Sequence, residues 1–419
     1  MSASCAHGQA MTLAELKKNP EKYRVAVVIP KYGLVGGGER FASEVTGRLA
    51  ADGRFDIHVF ANKWVEGTLG PVTFHKVPIA RFPRFMRPLS FAALASMMVS
   101  RGSFDLVHSH ERTFGADIYS VHCVPHSGWV RDVRRKRPSC FDRAVAAVER
   151  RMIFSGASSW FLPVSSLAID AFRMEYGRLP GRWRPLHPGV DLAKFSTPSR
   201  EECRAEVRAR HGVRDEDFLV LFVGMNFEVK GLDTVIKAVA LARAAAPGAS
   251  IRLLVVGRGD ERKYREMAET HGIGDGVIFA GTRSEGLEKY YRAADCFAML
   301  STFDTFGMVV LEAMASGLPV IISSGVGAKD LVEEGVNGFV LGFGNAKAAA
   351  DSISKLLDPI RRAEMGRCAL RTASLHDWGV LAERMGELYM KVLSEKGRCR
   401  AESEDYREQD GPFADNSIV

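Results

Sequence analysis

The chain has 419 residues, 46% hydrophobic and 26% charged, with a formal net charge of +7. That length suits two domains better than one, and the composition excludes disordered and fibrous classes. No run of eighteen apolar residues occurs, so no membrane span is expected, and seven scattered cysteines without a Cys-x-x-Cys indicate neither a disulfide frame nor a zinc site.

Residues 1–22 hold no apolar signal core and read as a lead-in, which places the chain in a reducing cytoplasm. Arg24 to Ile29 carries a continuous apolar run, as a strand buried on both faces of a parallel sheet requires. It ends at Pro30 and a glycine-rich turn, Gly33 then Gly36-Gly37-Gly38, before a helix over about 39–51. Asp56 to Ala61, Thr73 to Val77, Leu106 to Ser109, Ile118 to Val121 and Phe161 to Val164 follow as strands, with helical segments between most of them.

A Pro/Gly break, His187-Pro188-Gly189-Val190-Asp191, precedes a restart of the pattern. Phe218 to Val223, Ile251 to Gly257, Val277 to Phe279, Cys296 to Leu300, Pro319 to Ile322 and Gly338 to Leu341 are short apolar strands. Helices at about 231–246, 260–271, 285–293, 309–316, 328–334 and 346–357 separate them. The expected class is α/β: two doubly wound, Rossmann-like parallel sheets with their strand-to-helix loops facing a central cleft. The expected domains are 23–190 and 191–376. A helix over 377–396, with the stripe Trp378, Leu381, Met385, Leu388 and Tyr389, and a polar, disordered tail over 397–419 complete the reading.

Two motifs carry chemistry. Asp304 and Glu312 are carboxylates with seven residues between them, and a Phe306-Gly307 turn opens a helix at Met308. Free backbone N–H groups at that helix start form a ready anion site. Asp304 just before it and Glu312 about two turns along can read hydroxyl groups, which together suits a nucleotide sugar. Gly224 to Gly231, with Asn226 and Lys230, follows the first strand of the second half. A lysine at a helix N-terminus opposes the dipole, so its reason is better sought in an anionic ligand such as a diphosphate.

These landmarks, in this order, resemble the retaining family 4 glycosyltransferases of the GT-B fold, among them lipopolysaccharide-core and mannosyl transferases. The resemblance covers about residues 24–395 and rests on Gly36-Gly37-Gly38-Glu39-Arg40, the His187 to Phe195 segment, Gly224 to Gly231, Asp304 to Val320 and Gly335 to Phe339. It implies that Gly37 and Gly38 approach the donor phosphates or the acceptor, and that Lys230 holds the diphosphate, with Gly224 and Asn226 in the same loop. It further implies that Asp304 reads the donor sugar, helped by the amides around Phe306, Gly307, Met308 and Val309. Glu312 would take the ribose, and Thr282 and Arg283 would lie by the base. A histidine after the Ile118 to Val121 strand faces the sugar in similar enzymes, and either His122 or His126 fills that place.

Two departures are visible: Asp304 where the family commonly has glutamate, and Met225 where it usually has a phosphate-binding arginine. The implied reaction is transfer of a sugar, with retention, from a UDP-, GDP- or ADP-sugar to a glycan or lipid-linked anionic acceptor in lipopolysaccharide or other envelope assembly. Lysine and helix amides take the part of a metal, and no cofactor is implied. The alternatives are a non-catalytic scaffold on the same fold, or another GT-B enzyme such as a sugar phosphorylase or epimerase.

Charge separates the two halves. Residues 1–200 hold 29 Lys+Arg against 16 Asp+Glu, and the rest holds 28 against 34. The basic half fits an anionic acceptor, and Arg81, Arg84 and Arg87 with Phe82, Phe85 and Met86 suggest peripheral contact with the anionic inner face of the cytoplasmic membrane. No nucleic-acid module or aromatic-interleaved basic patch accompanies it, so nucleic acid is not an expected partner.

Overall fold

The computed structural model describes residues 22–409 except 34–35, 66–69, 156–158 and 284, with side chains described to residue 397. The expected lead-in, apart from Lys22, and the last ten residues lie outside that range.

The first sheet contains β1 (Tyr23–Val28), β2 (Phe55–Ala61), β3 (Val72–Lys76), β4 (Leu106–Ser109), β5 (Ile118–Val121), β6 (Trp160–Pro163) and β7 (Arg182–Trp183) in the order β3-β2-β1-β4-β5-β6-β7. The second contains β8 (Phe218–Met225), β9 (Ile251–Arg258), β10 (Val277–Gly281), β11 (Cys296–Met299), β12 (Val320–Ser323) and β13 (Gly338–Leu341) in the order β10-β9-β8-β11-β12-β13. Every pairing in both sheets is parallel. Parallel strands need crossover helices, which cover both faces and make central strands apolar throughout. Val25, Ala26, Val27 and Val28 of β1 and Leu219, Val220, Leu221 and Phe222 of β8 are accordingly buried.

The strand order reverses between β1 and β4 in one sheet and between β8 and β11 in the other. Helices leave to opposite faces there and open a crevice at the carboxyl ends of the strands, where ligands of such sheets bind. The glycine-rich turn follows β1, the Gly224 to Gly231 loop follows β8, and the Asp304 loop follows β11, so each motif sits at a switch point.

The halves are joined at Val190, whose N–H donates to His376 O and whose carbonyl accepts from Trp378 N. The chain then enters a long helix, α7 (Trp378–Gln409). Trp378, Leu381, Met385 and Tyr389 lie in the core of the first sheet beside Phe41, Leu49 and Phe55, so the apolar stripe crosses back. The helix runs past residue 396, where the sequence reading ends it, as far as Gln409, and residues 410–419 of the expected tail lie outside the described residues. The segment expected as a helix over 328–334 is only a 3-10 turn, Gly327–Leu331.

Candidate functional site

At the second switch point, the loop from β8 is tied to the end of β11. Val229 O accepts from Ser301 Oγ at 2.7 Å and from Thr302 N at 3.0 Å. Gly231 has φ +74°, and a Cβ there would stand 2.0 Å from the Leu300 carbonyl oxygen, so only glycine allows this close approach. Asn226 adopts φ +66°, a conformation asparagine tolerates better than most residues, and its Oδ1 accepts from Val229 N. The result aims Lys230 across the crevice, where its Nζ donates to Asp304 Oδ2.

Asp304 is fixed on its own side by backbone bonds. Its N–H donates to Gly325 O at 2.9 Å and its carbonyl accepts from Gly327 N at 3.0 Å. Helix α6 (Met308–Ala315) begins two residues beyond Phe306, with Gly307 as its N-cap at φ +88° and no side-chain cap. Its first N–H groups therefore face the crevice beside the Lys230–Asp304 pair. The Phe306 ring is buried, so only its backbone is available to a ligand. Glu312 is buried on α6, and its Oε2 accepts from Tyr291 OH at 3.0 Å. Burial raises its pKa, opposed by Arg40 and by the Tyr291 hydrogen bond.

Helix α1 (Gly37–Ala51) follows the glycine turn of the first half and sends Arg40 over the crevice, its Nη1 3.5 Å from Glu312 Oε1. The sequence reading quotes Arg40 in a landmark but assigns it no role. The Glu39 carboxylate folds back over Gly36, where a Cβ would meet its Oε2. Both carboxylates of the motif are thus held by cations of the chain itself, one within the second half and one from across the crevice. Three further hydrogen bonds close the halves together. Ser165 Oγ donates to Thr305 O at 2.6 Å, and Asp330 Oδ2 accepts from Ser166 N at 2.6 Å and shares a bond with His187 at 3.0 Å. Burial works to raise the Asp330 pKa, but the His187 and Ser166 hydrogen bonds outweigh it and hold the pKa below the usual value.

The histidine alternatives separate. His122 lies under the glycine turn, its ring carbons 3.1–3.2 Å from where a Gly38 Cβ would be. It lines a cavity of about 420 Å³ with Lys31, Gly38, His110, Glu111 and Arg112. His126 instead bonds Asp142 at 2.9 Å and lines neighbouring cavities with Arg84. Thr282 and Arg283 follow β10, the sheet edge two strands from β8, roughly 10 Å away at ~4.8 Å per strand. Arg283 Nε donates to Tyr290 OH at 2.8 Å, and Thr282 has no described tie to the other site residues. Met225 is half exposed at the end of β8 and brings no charge there. Among the described residues no group of three His, Cys, Asp or Glu is placed to hold a metal ion.

Three imidazoles cluster under the first switch point. Burial lowers His122 to about 4 and His108 to about 3, and lowers His110 well below its usual value, helped by the other two rings. Groups depressed in the fold stabilise it fully above the unfolded value near 6.5, and that stability is lost as pH falls toward the folded values. Each pKa unit is worth about 1.4 kcal/mol. The melting temperature should be flat above pH 7 and begin to fall near pH 6.5, above the carboxylate range. A scan that stays flat down to pH 4.5 would show that these rings are not buried neutral.

Known proteins fit this geometry. Residues 204–370 match the family "Glycosyl transferases group 1" and residues 35–194 match "Glycosyltransferase Family 4". A D-inositol 3-phosphate glycosyltransferase of Corynebacterium glutamicum is 31% identical over 328 residues, 73% of this chain and 78% of that protein. One of Acidothermus cellulolyticus is 29% identical over 404 residues, 88% of each. The crystal structure of WaaG, a glycosyltransferase involved in lipopolysaccharide biosynthesis, superposes with a TM-score of 0.68 at 24% identity, covering 87% of this chain and 99% of that one. With both halves matched in order and the crevice motifs in place, the chain belongs to the group 1, family 4 glycosyltransferases, and its fold is GT-B.

Proposed function

We propose that the chain transfers a hexosyl unit, with retention, from a nucleotide sugar to a phosphate-bearing acceptor. The observation that carries this is the pair of facing switch points: Lys230, the α6 amides, Asp304 and Glu312 on one side, and Gly38 and His122 on the other. The nucleoside diphosphate lies with its phosphates at Lys230 and the N-terminus of α6, its ribose at Glu312, and its base toward Thr282 and Arg283. Asp304 and His122 read hydroxyls of the sugar. Charge that develops on the leaving phosphate is met by donors already in place, which is where most of the rate enhancement arises. The acceptor hydroxyl attacks from the face the phosphate leaves, and its proton passes to the departing oxygen.

The acceptor side is supported by charge. A cavity of about 530 Å³ is lined by Lys31, Lys63, Arg84, Arg87, Arg112 and His126, with Glu111 its one carboxylate. Lys31, Lys63, Arg84 and Arg87 have no carboxylate partner among the described residues. Pro30, Lys31, Glu111 and Arg112 also line the cavity under Gly38 and His122, so an anion held by the arginines presents its hydroxyls toward the sugar. The relatives named for an inositol phosphate fit this chemistry, whereas the lipopolysaccharide-core assignment has only likeness of fold behind it.

The envelope and membrane reading rests on a separate feature. Phe82 is 90% exposed and Phe85 37%, beside Arg81, Arg84 and Arg87 at the start of α2 (Met86–Arg101). Such a patch fits an enzyme that visits the inner face of the cytoplasmic membrane. Salt-sensitive co-sedimentation with phosphatidylglycerol vesicles, weakened in Phe82→Ser, is the expected result. No binding at low salt would remove the membrane from the account.

The reaction is tested by incubating the protein with UDP-, GDP- and ADP-hexoses and inositol 3-phosphate or another sugar phosphate. The expected outcome is acceptor-dependent release of one nucleoside diphosphate and a product with the donor's anomeric configuration by NMR. A product of inverted configuration would overturn retention, and equal rates with dephosphorylated acceptors would overturn the anionic acceptor.

A further inference from the structure

The three imidazoles at the first switch point form a connected set, and only one is assigned a contact with the donor. His108 is closed off: Nδ1 bonds Tyr389 OH at 2.6 Å and Nε2 bonds Ser120 Oγ at 2.9 Å. His110 shares one hydrogen bond, between its Nδ1 and His122 Nε2 at 3.1 Å, with the two rings nearly parallel at 5°. Its other nitrogen, Nε2, is buried and has no hydrogen-bond partner among the described residues. For His122 Nδ1 there is no hydrogen bond among the described residues, and the ring, which is half-buried, lines the cavity under Gly38.

A neutral imidazole carries one proton, and the hydrogen bond on one nitrogen decides where it sits. If His122 donated from Nε2, His110 would have to accept at Nδ1 and carry its own proton on Nε2. That would leave an N–H buried without an acceptor, and orphaned buried N–H groups are rare because their desolvation is not recovered. The opposite arrangement avoids it. His110 holds its proton on Nδ1 and donates, and His122 accepts at Nε2. The proton of His122 then sits on Nδ1, the nitrogen not engaged by His110, on a ring that lines the cavity.

We propose that His110 is a positioning residue that fixes the Nδ1–H tautomer of His122, so that His122 offers the donor sugar a hydrogen-bond donor and never a base. This rests on the reading that His122 faces the sugar. It also removes His122 as a candidate to deprotonate the acceptor, in agreement with proton transfer to the leaving phosphate. The Phe41 ring, 4.9 Å from His122 and 5.8 Å from His110, holds both rings in this register.

The test begins with the ligand-free, full-length protein labelled with 15N-histidine. Long-range 1H–15N correlation at pH 7.5, assigned with single histidine variants, should show His110 and His122 both protonated on Nδ1. His122 protonated on Nε2 would overturn the proposal whatever the enzyme's substrates are. Kinetics then separate positioning from bulk. His110→Asn keeps an amide donor close to the Nδ1 position, and His110→Phe keeps a ring without one. With the donor identified, His110→Phe should lose about tenfold in kcat/KM, the size of one hydrogen bond, and His110→Asn should stay within about threefold of the parent. Equal losses in both variants would overturn it. If His110→Phe fails to fold, the tautomers of the unaltered protein still decide. Absence of turnover in that protein would count against the transferase reading and leave the tautomer result standing.

Discussion

Lys230→Ala should lower kcat/KM about a thousandfold, the loss expected when one preorganised donor to a developing oxyanion is removed, ~4 kcal/mol. The expectation is this large because Lys230 is the cation that reaches Asp304 at its switch point. The strand end that carries an arginine in similar enzymes carries Met225 here. Lys230→Arg should not rescue, since the lysine stem packs on Gly224, where a Cβ would stand 3.0 Å from Lys230 Cγ, and a planar guanidinium has a different reach. The substitution also strips Asp304 of its cation. Both side chains are only about one-fifth exposed, so a drop of a few degrees in melting temperature should accompany the kinetic loss. Steady-state kinetics with a melting curve on the same sample check both parts. A variant that keeps a tenth of its activity would show that the phosphates are held elsewhere.

Glu312→Gln should raise the donor KM roughly a hundredfold while leaving the fold as stable as before or slightly more so. A carboxylate that accepts ribose hydroxyls is a charge-assisted partner worth about 1.5–3 kcal/mol, and glutamine keeps the shape without the charge. The protein holds that charge in an unfavourable place, since burial raises the Glu312 pKa despite Arg40 and Tyr291. Such a group is kept for binding, and its neutralisation should relieve the fold while it costs the function. Tyr291 OH can still donate to the amide oxygen. Donor titrations with melting curves test the pair of effects. An unchanged KM would move the ribose away from α6.

Parallel strands buried on both faces leave long apolar runs, so β1, β8 and β9 could be read from the residues, and their alternation with helices pointed to doubly wound sheets. The two-residue strand at Arg182–Trp183 and the pairing of Lys31–Tyr32 with Lys63–Trp64 are too short to leave a period. Asp304, Gly307 and Glu312 were legible because one loop and one helix carry them. Arg40 opposite Glu312 was not, because the contact depends on how the two halves close and no local pattern encodes that. His122 and His126 are four residues apart after the same strand, and composition alone does not choose between them. Pro125 starts a helical turn that swings His126 onto Asp142, leaving His122 beneath Gly38. The length of α7 is not legible for the opposite reason: a polar stretch with helix-forming glutamates, lysines and arginines looks the same by composition whether it coils or continues a helix.

The central claim is that a nucleotide sugar lies across the two switch points with its phosphates on Lys230. Thermal denaturation of the protein and of Lys230→Ala against UDP-, GDP- and ADP-sugars, with and without EDTA, tests it most directly. The account predicts that one nucleotide series raises the melting temperature of the unaltered protein, that EDTA makes no difference, and that Lys230→Ala loses the shift. Equal shifts in both proteins, or none with any nucleotide sugar, would contradict it.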